Sequence, residues 1–167
     1  MNNFATIKHI NTFRKVSYYS LCLNGDRESI YEKYFKTWIT DPKYKGELTQ
    51  MVAWLKRMGD RDGALERYFR PEGKAHALPP PTKYLAGEVG NLRLYCMVVN
   101  PNLVFLFSGH VKTKAKAQDC PNVSSHFRDA GVFSQKLEEA FINKELETSP
   151  MIQLHHLVIS NQFEIIL

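Results

Sequence analysis

The chain has 167 residues, 44% hydrophobic and 12% aromatic, enough for one cored domain with at most an appended element. With 23% charged residues, 9 Gly and 8 Pro it is neither collagen-like nor of low complexity, and no apolar run approaches the ~18 residues of a membrane helix. The net charge of +5 permits a nucleic-acid partner without requiring one, because a mild basic excess also serves solubility.

In chain order, Val16 to Leu23 (VSYYSLCL) is rich in β-branched and aromatic residues and stops at Asn24-Gly25, which predicts a strand closed by a turn. From Asp26 the period lengthens. Ile30, Tyr34 and Trp38 recur every fourth residue, an amphipathic helix ended by Asp41-Pro42. A second helix from about Lys43 carries Leu48, Met51, Val52, Leu55 and Met58 on one face, with Gly59 as its expected C-cap. The short Thr-Asp-Pro turn between them predicts an antiparallel helical hairpin.

Residues 59–82 are polar and run into three consecutive prolines, so they read as a surface connector, neither a helix nor a central strand. Lys83 to Val89 reads as a short strand. Asn91 to Asn100 and Leu103 to Gly109 flank Asn100-Pro101-Asn102 and predict a tight antiparallel hairpin. Two helical stretches follow, Val123 to Ala130 and Ser134 to Glu147, the second N-capped by Ser134. His156 to Leu167 reads as a further strand or a hydrophobic tail. The expected class is α+β, two-layered, with the N-terminal helical hairpin on a mainly antiparallel sheet, a C-terminal helix and an added terminal strand. The domain spans 1–147, and 148–167 forms a C-terminal extension.

The charge is distributed unevenly. Residues 1–78 hold 14 Lys/Arg against 9 Asp/Glu, whereas residues 79–167 hold 8 of each. That neutral half nevertheless carries the densest basic stretch, Lys112, Lys114 and Lys116, with no acidic residue between Glu88 and Asp119. On an extended chain these lysines project to one side together with His110. Such a row suits a phosphodiester backbone, although any solvated loop also collects lysines. Arg93 stands in the apolar strand Leu92-Arg93-Leu94-Tyr95-Cys96-Met97, where alternation puts it with Tyr95 and Met97. An unpartnered buried arginine is costly, so that face is exposed, holds an anion, or pairs Arg93 with Glu88.

Leu92-Arg93-Leu94-Tyr95, the hairpin, and Phe107-Ser108-Gly109-His110-Val111-Lys112-Thr113-Lys114 before a C-terminal helix resemble the RelE/HigB toxin superfamily, in particular its phage-derived HigB-like branch. The resemblance covers roughly residues 88–147, with weaker support from 26–58. It implies an mRNA endoribonuclease that works without a cofactor or metal by attack of the ribose 2′-OH on the adjacent phosphate. It also implies action on the ribosome and neutralisation by an antitoxin, often one with a helix-turn-helix. Arg93 then corresponds to the arginine on the scissile phosphate, and Lys112 and Lys114 to the basic residues after the last hairpin strand. His110 is the leading acid–base candidate, since its ordinary pKa lies near neutrality, with His126 and Tyr95 in reserve. Lys116, Tyr95, Arg70 and Lys74 are candidate RNA contacts.

Family toxins are shorter than this chain, the surplus lying in the leader, the connector and the tail. The tail is expected to pair with a sheet edge and cover the cleft, or to join two copies as a homodimer. Cys22, Cys96 and Cys120 are too few and too far apart for a disulfide framework or a zinc site, and the adjacent His155-His156 point to opposite faces of a strand. A non-catalytic module of the same fold, holding nucleic acid or protein, is the alternative from another functional class, and gyrase poisoning, as in the ParE branch, is a third.

Overall fold

The computed structural model describes residues 3–80, 90–113, 119–148, 157–159 and 163–167. Residues 4–12, within the surplus expected before the helical hairpin, form a strand. Phe4–Thr12 (β1) pairs antiparallel with Ser17–Leu23 (β2). A bulge between His9 and Asn11 interrupts the register of β1. Ala5 and Ile7 pack on one face of the sheet and Ile10 on the other, and the bulge sets Asn11, opposite Tyr18, on the same face as Ile10, which breaks the strand's alternation. β2 closes at Asn24 and Gly25, both at positive φ (52° and 80°), as the Asn-Gly pair predicts.

Ile30–Ile39 (α1) begins with a capping box in which Ser29 accepts from the Glu32 N–H and Glu32 from the Ser29 N–H. Lys45–Arg57 (α2) returns beside it. The Tyr34 hydroxyl reaches Met51 Sδ at 3.5 Å, while Trp38, one turn later, meets Tyr44 edge to face. That order of contacts makes an antiparallel hairpin. Gly59 is not the cap. The chain continues through a π-helical turn, Met58–Asp62, and stops at Gly63, φ 80°. Gly59 is buried instead against Phe13, whose ring a Cβ would meet at 2.6 Å.

The connector is also ordered. After a 3-10 turn at Glu66–Tyr68, Arg70–Glu72 (β3) and Ala75–Leu78 (β4) form a hairpin, and β4 lies inside the sheet. Buried Phe69, Ala75, Ala77 and Leu78 explain why this polar stretch folds. Leu94–Asn100 (β5) and Leu103–Leu106 (β6) make the expected hairpin. Ser124–Ile142 (α3) is one helix, not two, and Ser134 is a buried residue in its middle. Gly131 does not break it, because a helical glycine costs only about 1 kcal/mol. Leu146–Thr148 (β7) pairs with Leu157–Ile159 (β8), and Ile165–Ile166 (β9) pairs with β1.

The larger sheet runs β3-β4-β5-β6-β2-β1-β9 and is antiparallel except where β6 lies parallel to β2. Alternation along the strands gives it two apolar faces. Tyr18, Leu94, Cys96, Val104 and Leu106 meet α1 and α2, while Tyr19, Leu21, Tyr95, Phe105 and Phe107 meet α3. The α+β class stands, but the domain has three layers, not two. The expectation left the Arg93 face of the hairpin exposed, holding an anion or paired with Glu88, yet both faces of β5 and β6 are apolar and covered by helices.

Candidate functional site at the divergence of two strands

β2 and β6 pair only from Ser17 to Tyr19 and from Leu103 to Phe105. Beyond that they part. β2 continues along β1, and Phe107 to Lys112 continue along β5, with the Tyr95 N–H donating to Ser108, the Arg93 N–H to His110 and the Lys112 N–H to Asn91. The helix after β2 covers one face of the sheet and the helix after β6 covers the other. A crevice therefore opens at the carboxyl ends of the parallel pair, the place where such sheets commonly bind ligands. Leu23 and Phe107 line it with Ile30 and Lys33 of α1, Ser108, and His126, Asp129 and Phe133 of α3, enclosing about 200 Å³.

His110 stands beside it, between the layers. Its ring meets Trp38 of α1 edge to face at 4.9 Å and stacks on His126 of α3 at 6.0 Å. His110 Nδ1 accepts the Val111 N–H at 2.8 Å, so the neutral ring carries its proton on Nε2. Burial, and next the neighbouring His110, hold His126 below the usual histidine range, with Asp129 opposing. Its imidazole is thus neutral at pH 7. Gly109, just before His110, is required sterically, because a Cβ there would overlap the Arg93 carbonyl oxygen.

Arg93 lies on the face that alternation assigns it, but it is neither exposed nor next to an anion among the described residues. It is 8% exposed, and its Nη1 donates to the carbonyls of Gly90 (2.7 Å) and Leu92 (3.3 Å). The Asn91 N–H, on the same peptide as the Gly90 carbonyl, donates to Glu47 Oε1 at 2.6 Å. One peptide unit is thus clamped between a guanidinium and a carboxylate. Burial, and then Arg70, pull the Arg93 pKa below its ordinary value. Its Nε and the hydroxyl of the fully buried Tyr95 have no partner among the described residues. Phe127 of α3 lies against the Tyr95 ring at 6.2 Å.

Arg70 is tied down by the Pro79 and Pro80 carbonyls. Lys74 is exposed in the β3–β4 turn, whose Gly73 faces Phe127, and Lys112 is half-buried. Lys114, Lys116, Glu88, Lys83 to Val89 and His155-His156 lie outside the described residues. Cys120 is buried and accepts from the Thr113 N–H at 3.2 Å, a structural thiol. The structure thus brings His110 to His126, and Arg93 to Tyr95, at one end of the sheet. Trp38, Lys33, Glu47 and Asp129 were missed. Only Asp129 left a signal, three residues after His126 on one helical face.

No metal-binding group of three His, Cys, Asp or Glu occurs among the described residues, and no helix among them is long and apolar enough to cross a membrane. Comparison with protein-family models, curated proteins and solved structures finds no match.

Proposed function

We propose that this protein is a RelE/HigB-like endoribonuclease that cuts mRNA by attack of a ribose 2′-OH on the adjacent phosphate. The observation that carries the reading is the His110–His126 pair, two half-buried imidazoles stacked at 6.0 Å beside an open crevice. His126, neutral at pH 7, takes the 2′-OH proton as O2′ bonds to phosphorus, and its imidazolium returns that proton to O5′ as the P–O5′ bond breaks. The products are a 2′,3′-cyclic phosphate and a 5′-hydroxyl. His110 Nε2–H donates to a non-bridging oxygen of the phosphorane, where charge accumulates. Lys112, followed in sequence by Lys114 and Lys116, holds the flanking backbone, with Lys74 across the turn. Action on the ribosome in the cytoplasm and neutralisation by an antitoxin follow from the resemblance.

The test is induced expression, with transcript ends mapped, followed by RNA cleavage with purified protein. Growth arrest and cyclic-phosphate ends are expected. His126→Ala and His110→Ala should each lower the cleavage rate about 10²-fold or more while remaining folded. Activity should fall on acidification as His126 becomes protonated, below the ordinary histidine value. Intact RNA, or variants that cut like wild type, overturn the reading. The internal hydrogen bonds of Arg93 favour a second reading, a non-catalytic module on this fold. That module binds RNA with steep salt dependence and never cuts it.

A further inference from the structure

We propose that the crevice between β2 and β6 is a nucleobase subsite that selects guanine next to the scissile phosphate, an inference that rests on the ribonuclease reading. Leu23, Ile30, Phe107 and Phe133 give it apolar walls, the two phenyl rings lying 5.4 Å apart and tilted by 58°. Its volume of about 200 Å³ admits a flat bicyclic base but not a whole nucleotide. For scale, an apolar cavity of roughly 150 Å³ holds one benzene.

The polar groups narrow the choice. Asp129, an exposed residue of α3, is one of the lining residues and its charge reaches His126; a carboxylate at this rim repels a phosphate and accepts hydrogen bonds only. The one lining cation, Lys33, is already paired with Asp26 at 2.6 Å, so the crevice offers no free ammonium to an anion. The occupant must therefore be neutral, planar and rich in donors. Guanine alone among the four RNA bases presents two adjacent N–H donors on one edge, N1–H and N2–H, matching the two carboxylate oxygens. Adenine and cytosine each set a ring-nitrogen acceptor beside their amino group, and uracil flanks its one N–H with carbonyls. The Ser108 hydroxyl, also in the lining, can donate to O6. His126 lines the crevice and stacks on His110, so a base held there leaves its phosphate at the imidazole pair.

The test is calorimetric titration of the intact protein with guanosine, adenosine, cytidine and uridine 3′-monophosphates, alongside mapping of cut sites. Guanosine 3′-monophosphate should bind about tenfold or more tightly than the other three, the discrimination expected of a bidentate contact. Asp129→Asn, with its fold verified by circular dichroism, should reduce that preference to within about twofold. Equal binding of all four nucleotides, or a preference that survives Asp129→Asn, overturns the subsite. RNA cut with no guanine preference removes the subsite and leaves the nuclease standing. Selective guanosine binding without any RNA cleavage keeps the subsite and removes the nuclease.

Discussion

The peptide between Gly90 and Asn91 is held from both sides, its carbonyl by Arg93 and its N–H by Glu47. The two side chains act on one rigid plane, so neither contact is worth its full amount without the other. Glu47→Ala and Arg93→Ala should each destabilise the fold by about 1.5–3 kcal/mol, the range for hydrogen bonds to charged groups. The double variant should fall short of the sum by at least about 0.5 kcal/mol. Urea unfolding of the four proteins measures this, and strict additivity would show that the clamp does not couple them. The arginine was conspicuous in the sequence because it interrupts an apolar strand. Its partner was not, since Glu47 lies on a helix 44 positions before Asn91, whose backbone it reaches instead of the guanidinium.

Among the elements, those with one uninterrupted period were legible: β2, both helices of the hairpin, and the β5–β6 pair. Those that break their own pattern were not. The bulge in β1 sets Ile10 and Asn11 on the same face and so breaks the alternation, and β3–β4 is built from strands too short to show alternation. The site depended on what is least legible. His110 and His126 were visible as residue types, but their meeting follows from the parallel pairing of β2 with β6, two strands separated by both helices and the connector. α3 carries a glycine, Gly131, in the gap between the two helical stretches expected from the sequence. A Cβ at Gly131 would meet nothing within 4 Å, and the position is helical interior. Gly131→Ala should therefore stabilise the protein by about 0.5–1 kcal/mol, chiefly by restricting the unfolded chain. Thermal unfolding should show a rise of about 1–4 °C. A fall would mean that α3 needs the glycine for a contact this geometry does not contain.

At the scale of the molecule, the seven-stranded sheet has two edges, and they are blunted by different means. β3 is three residues long and carries Pro71, which removes a donor from the exposed rim. At the other end β9 covers β1, pairing Ile166 with Phe4 and Ile165 with Ala5, and the Leu167 N–H adds a bond of 2.9 Å to the Asn3 carbonyl. Ile165 is buried against the face that holds α3, and Phe163 and Leu167 pack beside it. The expectation that the tail pairs with a sheet edge is met here, at β1, and Leu167 after β9 lines a hollow with Leu23, Asp129 and Phe133, which also line the crevice. Deleting residues 163–167 removes one buried isoleucine and the backbone partners of the start of β1. The core clusters around Tyr18 and Phe105 remain, so the shortened chain should fold cooperatively but with about 2–3 kcal/mol less stability. Among the described residues β9 covers only Phe4 and Ala5 of β1, so the deletion extends an edge already open from Thr6 to Thr12 to all nine residues, and strand addition between copies should make the truncated protein associate as its concentration rises. Urea midpoints and light scattering over a concentration series test both consequences. An unchanged midpoint in a strictly monomeric truncation would show that β9 neither supports the sheet nor protects its edge.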